Sequence, residues 1–121
     1  MNLRKLAAAL LGLAAFSLPL AASADAADAD AWGAIAVNLE TNQVGLGFGE
    51  TTENKAQREA DRDCPGKCRQ IIIVRNKCGA LGVTSSGRYV GGFDSKKRPA
   101  IAKARKKLDQ GGKILAFVCS G

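Results

Sequence analysis

The side chains with the most distinctive chemistry in this chain are its four cysteines, Cys64, Cys68, Cys78 and Cys119. The CPGKC stretch places three residues between the first two, whereas a catalytic dithiol usually has two and lies at a helix N-terminus. A four-thiolate metal site would have enough ligands, but the usual pair of C-x-x-C motifs is missing. In a small exported domain, an even number of cysteines predicts disulfide bonds.

Four cysteines permit three pairings, and the sequence alone leaves the choice open. We favour Cys64 with Cys68, because only Pro-Gly-Lys separates them at a reversal of the chain. We favour Cys78 with Cys119, because these residues open and close the second half of the domain on strands expected to be antiparallel neighbours. The alternatives join Cys64 to Cys78, or Cys68 to Cys119.

Groups for acid-base or nucleophilic catalysis are scarce. The chain contains no histidine, which excludes Ser-His-Asp and Cys-His arrangements. Five residues could supply a Ser-Lys dyad: Ser85, Ser86, Ser95, Lys96 and Lys97. Five carboxylates lie on or just before the first predicted helix: Glu50, Glu53, Glu59, Asp61 and Asp63. No spacing selects a nucleophile and its base, and the carboxylates lie among basic residues, as surface ion pairs do. We predict no enzyme, metal or cofactor; an unrecognised small hydrolase is the remaining alternative.

Charge is distributed unevenly along the chain. Residues 25–74 hold 5 basic and 9 acidic side chains, whereas residues 75–121 hold 11 basic and 2 acidic ones. Seven of these bases could contact an anionic partner: Lys96, Lys97, Arg98, Lys103, Arg105, Lys106 and Lys107. Such a basic cluster favours acidic partners in general. The alternative interpretation is a charged surface that only contacts solvent. No aromatic stacking platform or reading motif accompanies it, so specific nucleic-acid binding is not expected.

The N-terminal segment has the features of an export signal. Two basic residues precede an apolar run over residues 6–20, and Ala22 and Ala24 form the Ala-x-Ala pattern that signal peptidase reads. Pro19 interrupts the run, which is shorter than the ~20 residues of a membrane-spanning helix. We predict cleavage after Ala24, with Ala26 as second choice, and a periplasmic or secreted protein.

Removal of 24 of the 121 residues leaves 97, enough for one domain with one modest core. We therefore predict a signal peptide over residues 1–24, an acidic linker over 25–31 and a single domain over 32–121. No second apolar stretch approaches membrane length, so no transmembrane segment is expected after cleavage.

The domain contains an internal repeat. WGAIAV at 32–37 returns as CGALGV at 78–83, VGLGFG returns as YVGGF with Phe48 matching Phe93, and IIIV returns as LAFV. Each copy has the pattern of strand, strand, helix, strand. The predicted fold class is α+β: a tandem duplication of this unit, with halves at 32–76 and 77–120 that share one sheet core and are stabilised by disulfides.

Different signals predict the two helices. Thr52 is a suitable N-cap for the first, and alanines four residues apart form its apolar stripe. The second is predicted over residues 99–109, with Pro99 at its first helical position. Alanine stripes allow a helix to lie close against a sheet, and four glycines remove side chains from the facing strands: Gly45, Gly47, Gly91 and Gly92.

Several of these motifs occur together in one known family. WGAIAV, the G-x-G-x-G strand, the A-x-x-x-A helix, the cysteine-bearing turn, N-x-C-x-A-L and the final V-C-S resemble the small secreted bacterial family catalogued as domain of unknown function 4189. The resemblance covers residues 32–120 and implies export and a disulfide-stabilised domain, without an established activity. The basic second helix departs from the family's usual pattern, since no cysteine lies at its end.

These observations predict a small exported module that acts by binding. The first candidate partner is another protein in the envelope or outside the cell. The alternative is attachment to anionic envelope material through the basic helix at 99–109.

Overall fold

The structure is a computed structural model and describes residues 30–121. Its elements are β1 (Trp32–Val37), β2 (Val44–Glu50), α1 (Glu53–Asp63), β3 (Arg69–Arg75), β4 (Cys78–Val83), β5 (Tyr89–Asp94), α2 (Lys97–Arg105) and β6 (Lys113–Cys119). The α+β class and the order of elements in each half are as predicted. Neither helix in this part of the chain is long and apolar enough to cross a membrane. The predicted signal peptide lies outside the described residues.

The strands form two antiparallel sheets of three strands each, in the orders β2-β1-β3 and β5-β4-β6. The sequence predicted that the two halves share one sheet core. Instead each half has its own sheet, and the shared apolar core lies between the two sheets. A two-residue turn separates β3 from β4, and Asn76 in this turn has a left-handed φ of 54°. The chain therefore leaves the first sheet at Asn76 and begins the second with β4.

The core between the sheets is built from alternate residues of the strands. In β1, Ile35 and Val37 are fully buried and join Ile72 and Val74 of β3 in the central apolar cluster. Two residues of the second sheet complete this cluster, Leu81 and Val118. Because successive side chains point to opposite faces of a strand, the intervening residues of β1 face the helix. The central strands β1 and β4 are consequently buried on both faces.

Helix α1 packs closely on the outer face of the first sheet. The Thr52 hydroxyl accepts a hydrogen bond of 3.2 Å from the Lys55 amide, which caps the helix as predicted. Ala56 and Ala60 are fully buried against the alanines of β1. A Cβ atom on Gly45 would collide with the carbonyl oxygen of Ala60, which confirms close approach as the role of this glycine.

Helix α2 runs from Lys97 to Arg105, so the predicted range of 99–109 is wrong at both ends. Asp94 accepts a hydrogen bond of 3.2 Å from the Lys96 amide, which fixes the entry to the helix before Pro99. Proline is tolerated at the third position because the amides of the first turn have no partner within the helix. After α2 the chain forms a tighter turn, in which the Leu108 amide donates a 3.0 Å hydrogen bond to the carbonyl of Arg105, three residues earlier.

Of the two glycines of β5, one has the predicted role and the other does not. A Cβ atom on Gly92 would collide with the backbone of α2, as expected for a close helix contact. Gly91 points to the opposite face, where its Cβ would lie 3.0 Å from the Cδ1 atom of Ile72. The prediction for Gly91 was therefore wrong, because the alternation of the strand assigns adjacent residues to opposite faces.

Two disulfides close the domain, and they join the pairs that we favoured. Cys64 is bonded to Cys68 at the end of α1, with Cα atoms 6.3 Å apart. Cys78 is bonded to Cys119 across the ladder between β4 and β6, with Cα atoms 4.0 Å apart. No free cysteine remains among the residues that the structure describes.

The end of the predicted linker is part of the folded domain. Asp30 accepts hydrogen bonds from Arg75 at 2.6 Å and from Asn76 at 2.8 Å. Ala31 exchanges two hydrogen bonds with Asn76, each of 2.9 Å. The hydrogen bonds that Asp30 accepts, first that from Asn76 and then that from Arg75, lower the pKa of its carboxyl below the usual value. Asp30 and Ala31, which we assigned to the acidic linker, therefore contact the folded domain.

Candidate functional site

An open apolar groove lies where the edge strand β2 of the first sheet meets the edge strand β6 of the second. At one end, the Gly49 amide donates a 2.7 Å hydrogen bond to the carbonyl of Ser120, which follows β6. The groove has a volume of about 580 Å³, with Val44, Leu46 and Phe48 on one wall and residues 114–119 on the other. We call it the β2–β6 groove.

The composition of β2 explains why this wall is apolar. Gly45 and Gly47 turn toward α1, where their missing side chains allow the helix to approach. Val44, Leu46 and Phe48 must then face the second sheet, because residues alternate between the two faces of a strand. A strand that is glycine on one face and large and apolar on the other therefore places its three apolar side chains in the groove.

Phe48 is the most exposed large apolar residue in the described part of the chain, with 62% of its surface accessible. On the opposite wall Phe117 is 38% exposed, and the two rings belong to one apolar surface with Leu46 and Leu115. Single exposed apolar side chains are common on proteins, but a contiguous apolar surface usually marks a binding site.

Acidic side chains border the β2 side of the groove. Glu50, Glu59 and Asp63 form a shallow hollow together with Leu46 and Phe48, and we call these three carboxylates the acidic border. Asp63 accepts a hydrogen bond of 3.0 Å from the Leu46 amide, which ties the end of α1 to β2. Glu59 also lies 3.4 Å from Arg62 on the same helix, an exposed pair of little energetic weight.

Basic side chains border the β6 side. Arg105 and Lys113 form a hollow with Ile114, which also lines the groove. The Lys97 ammonium lies over the ring of Phe117, 4.0 Å from its centroid, a cation–π contact. We call Lys97, Arg105 and Lys113 the basic border. The groove is therefore apolar along its middle, acidic along one side and basic along the other.

Three of the seven bases predicted to contact an anionic partner are engaged within the protein. Lys103 lies 2.9 Å from Asp94 and donates to the Phe93 carbonyl at 3.1 Å. Lys107 donates to the Gly91 carbonyl, and Lys97 lies over Phe117. The hydrogen bond from Lys103, followed by that from the Lys96 amide, lowers the pKa of Asp94 below its usual value.

Four of the predicted bases have exposed side chains with no hydrogen bond or ion pair to another residue in 30–121: Lys96, Arg98, Arg105 and Lys106. They lie at the start of α2, within it and at its end. These four side chains are available to an anionic partner, whereas Lys103 and Lys107 hold the helix to β5.

The residues considered for catalysis have other partners. Ser85 donates to Asp109, a hydrogen bond that lowers the pKa of that carboxyl, and Ser95 donates to Asp94 at 3.3 Å. Ser86 shares a 3.0 Å hydrogen bond with Thr84. None of these contacts joins a serine to a lysine.

The predicted carboxylate cluster is used in local contacts, and it forms no metal site. Glu53 accepts from Gln57 at 3.3 Å, and Asp61 accepts from Gln70 at 2.7 Å. Within residues 30–121, no group of His, Cys, Asp or Glu side chains is arranged to hold a metal ion. Glu53 and Asp61 therefore serve α1 and its contact with β3, whereas Asp63 bonds to β2.

Sequence reasoning missed the β2–β6 groove. Phe48 was matched with Phe93 as a sign of the repeat, and its exposure was not considered. The available signal was the period of two in VGLGFG, in which three large apolar residues alternate with glycine. What the sequence could not provide is the contact of β2 with β6 between the two sheets, because no motif specifies which edge strands face each other.

The chain matches the family model described as a domain of unknown function (DUF4189) over residues 32–119. It belongs to this family, as the motifs quoted above implied. No curated protein and no solved structure is significantly similar to the chain.

Proposed function

We propose that this protein is a small exported binding module, and that its partner is another protein of the envelope or the extracellular space. The β2–β6 groove is the surface that contacts this partner. The observation that carries the proposal is the position of Phe48, a residue that is 62% exposed on the wall of an apolar groove.

The groove has the composition of a protein interface. Such interfaces combine an apolar, aromatic-rich centre with a polar and charged rim, and a few central aromatic side chains contribute most of the affinity. Here the centre is Phe48, Leu46 and Leu115, and the acidic and basic borders supply the rim. Two charged rims of opposite sign also orient a partner, because only one orientation matches both.

The disulfides support the proposal of export. Disulfide bonds persist in the periplasm and outside the cell, where reducing systems do not break them. Both disulfides lie in the folded domain, and the Cys78–Cys119 bond joins β4 to β6, the first and last strands of the second half. Mass spectrometry of the native protein should find its N-terminus at Asp25 or Ala27. An intact Met1 would contradict export by a cleaved signal.

The two halves support the proposal of a tandem duplication. Each has a three-stranded sheet with its first strand in the centre, its second strand on one edge and its third on the other, and a helix between the second and third. Superposition should place Gly33 on Gly79 and Phe48 close to Phe93. An experimental structure in which the halves superpose in a different strand order would contradict a duplication.

A capture experiment tests the protein-binding proposal. The exported, oxidised protein is immobilised and exposed to envelope extract, and each captured protein is purified and its Kd measured directly. The Phe48→Asp variant should bind at least about 30-fold more weakly, the effect of losing one central aromatic contact. Phe93→Asp is the matched control, since Phe93 has the corresponding position in the other half and is 40% exposed. Equal affinities for the two variants would place the binding surface elsewhere.

A second candidate function is attachment to anionic envelope material. It is supported by the four exposed bases of the α2 region: Lys96, Arg98, Arg105 and Lys106. The attraction of a protein to an anionic surface increases with the number of exposed basic side chains, and salt weakens this attraction. Reversal of all four to Glu should abolish binding to anionic lipid vesicles at low salt. Vesicle binding that survives this variant would exclude α2 as the contact.

A further inference from the structure

We propose that the β2–β6 groove also binds a second copy of this chain, so that the exported protein forms a two-fold symmetric dimer until another protein displaces one subunit. This inference rests on the groove of the proposed function and adds its occupant in the absence of that partner. The observation behind it is the order of three strips on one face: acidic border, apolar groove and basic border.

The three strips are continuous with one another. Leu46 and Phe48 line both the groove and the acidic hollow, which contains Glu59. Ile114 lines both the groove and the basic hollow, which contains Lys113. A partner that covers the apolar middle must therefore contact both charged borders at the same time.

A second copy of the chain meets this requirement. In a two-fold dimer the same patch is used on both subunits, so a residue i that contacts j is matched by j contacting i. If the axis runs along the groove, rotation by 180° brings the acidic border of each subunit against the basic border of the other. The apolar middle of each groove then packs on that of the other subunit, with Phe48 of each subunit against the β6 wall of its partner.

Charge complementarity is what distinguishes this occupant from others. A face with charges of one sign would repel its own copy, because like charges placed opposite each other are costly. A face with both signs can match its own copy, and the opposite charges then set the orientation. The acidic border here holds Glu50, Glu59 and Asp63, with Arg62 beside it. The basic border holds Lys97, Arg105 and Lys113, and the neighbouring Asp109 is already bonded to Ser85. The net charge of the acidic border is therefore negative and that of the basic border is positive.

Sedimentation of the exported, oxidised protein tests the dimer. From about 1 μM to about 1 mM, the mass should rise from that of one chain to that of two, as for an interface of modest size. Phe48→Asp should raise the dimer Kd at least about 30-fold, whereas Phe93→Asp should leave it within about threefold. A protein that stays monomeric over this range, or a dimer that Phe48→Asp does not weaken, overturns the inference.

Charge reversal tests the orientation and does not depend on the folding of the Phe48 variant. Glu59→Lys and Lys113→Glu should each weaken self-association about tenfold, because each repels the facing border. In a mixture of the two variants both contacts are again between opposite charges, so the heterodimer should form with nearly the unmodified affinity. Glu40→Lys, in the exposed turn after β1, should have no effect. A mixture that associates no better than either variant alone overturns the inference.

The two proposals can fail separately. A monomeric protein that still binds another protein through Phe48 would overturn self-association and leave the proposed function intact. A dimer with the predicted sensitivity to Phe48→Asp that captures no other protein would support self-association and contradict the proposed function.

Discussion

Cys78 and Cys119 lie directly opposite each other in the antiparallel ladder between β4 and β6, and a disulfide joins them. They are 41 positions apart in the sequence, so the bond encloses nearly all of the second half of the domain. Cys64 and Cys68 are only 4 positions apart, and their bond constrains the end of α1. The two disulfides therefore restrict the unfolded chain to very different extents.

Removal of the two disulfides should reveal this difference. The chain-entropy relation assigns about 4 kcal/mol to the loop closed by Cys78–Cys119 and about 2 kcal/mol to the one closed by Cys64–Cys68. The double variant Cys78→Ala/Cys119→Ala should therefore melt roughly 10 °C below Cys64→Ala/Cys68→Ala, measured by calorimetry. Equal melting temperatures would mean that loop length does not govern the stabilisation.

The close approach of α1 to β2 makes Gly45 sensitive to a single methyl group. Gly45→Ala would direct Cβ into the carbonyl of Ala60 and the backbone of Cys64, so we expect a loss of about 2–3 kcal/mol in the free energy of unfolding. Gly82→Ala is the control, because its Cβ would meet mainly the flexible end of Leu108, and it should cost less than about 1 kcal/mol. Urea denaturation of the two variants gives the comparison, and a Gly45→Ala variant as stable as the parent would refute tight packing.

The N-cap of α1 gives a smaller and more local effect. Thr52→Ala removes the acceptor for the Lys55 amide and should cost about 1 kcal/mol in the free energy of unfolding. Thr51→Ala is the matched control, since the Thr51 hydroxyl accepts a hydrogen bond only from the exposed Lys55 ammonium among the described residues, at 3.5 Å. Chemical denaturation should place the Thr51 variant within experimental error of the parent. A reversed order of the two variants would contradict the cap.

Acid should weaken the connection between β5 and α2. The pKa of Asp94 is lowered below 3.8 by the Lys103 hydrogen bond, so the folded state binds fewer protons than the unfolded state at acidic pH. The contribution of Asp94 is therefore complete above pH 3.8 and disappears as pH falls through the lowered pKa. Asp94→Asn should destabilise the protein more at neutral pH than at an acidic pH below 3.8, as measured by denaturation. A variant effect that is the same at both pH values would exclude this linkage.

Local signals were sufficient to predict much of the fold. Thr52 could be identified as a cap because capping requires only a short polar side chain before a helix. The order of strands and helices followed from apolar runs and turn residues, and Gly87, between β4 and β5, has a positive φ of 88°, which glycine adopts readily in a turn. The favoured cysteine pairs followed from the same elements, since each pair depends on neighbours in sequence or in one sheet.

The remaining features depend on contacts between distant segments. The end of α2 is set by a turn at Leu108 and by lysines that bond to β5, so Pro99 alone was a poor guide to its bounds. The separation into two sheets depends on the turn at Asn76. The groove depends on which edge strands face each other, and only the packing of the two sheets decides this. The exposure of Phe48 and its neighbours in the groove therefore could not be predicted from the sequence.

Site-specific photocrosslinking tests the central claim most directly. A photoreactive phenylalanine analogue is introduced at position 48 or, as the control, at position 93, and the exported protein is irradiated in intact cells. We expect an adduct with a different protein from position 48 and none, or far less, from position 93. An adduct only with a second copy would support the dimer alone. If position 48 yields no adduct with another protein, or no more than position 93, the groove is not the partner's binding surface.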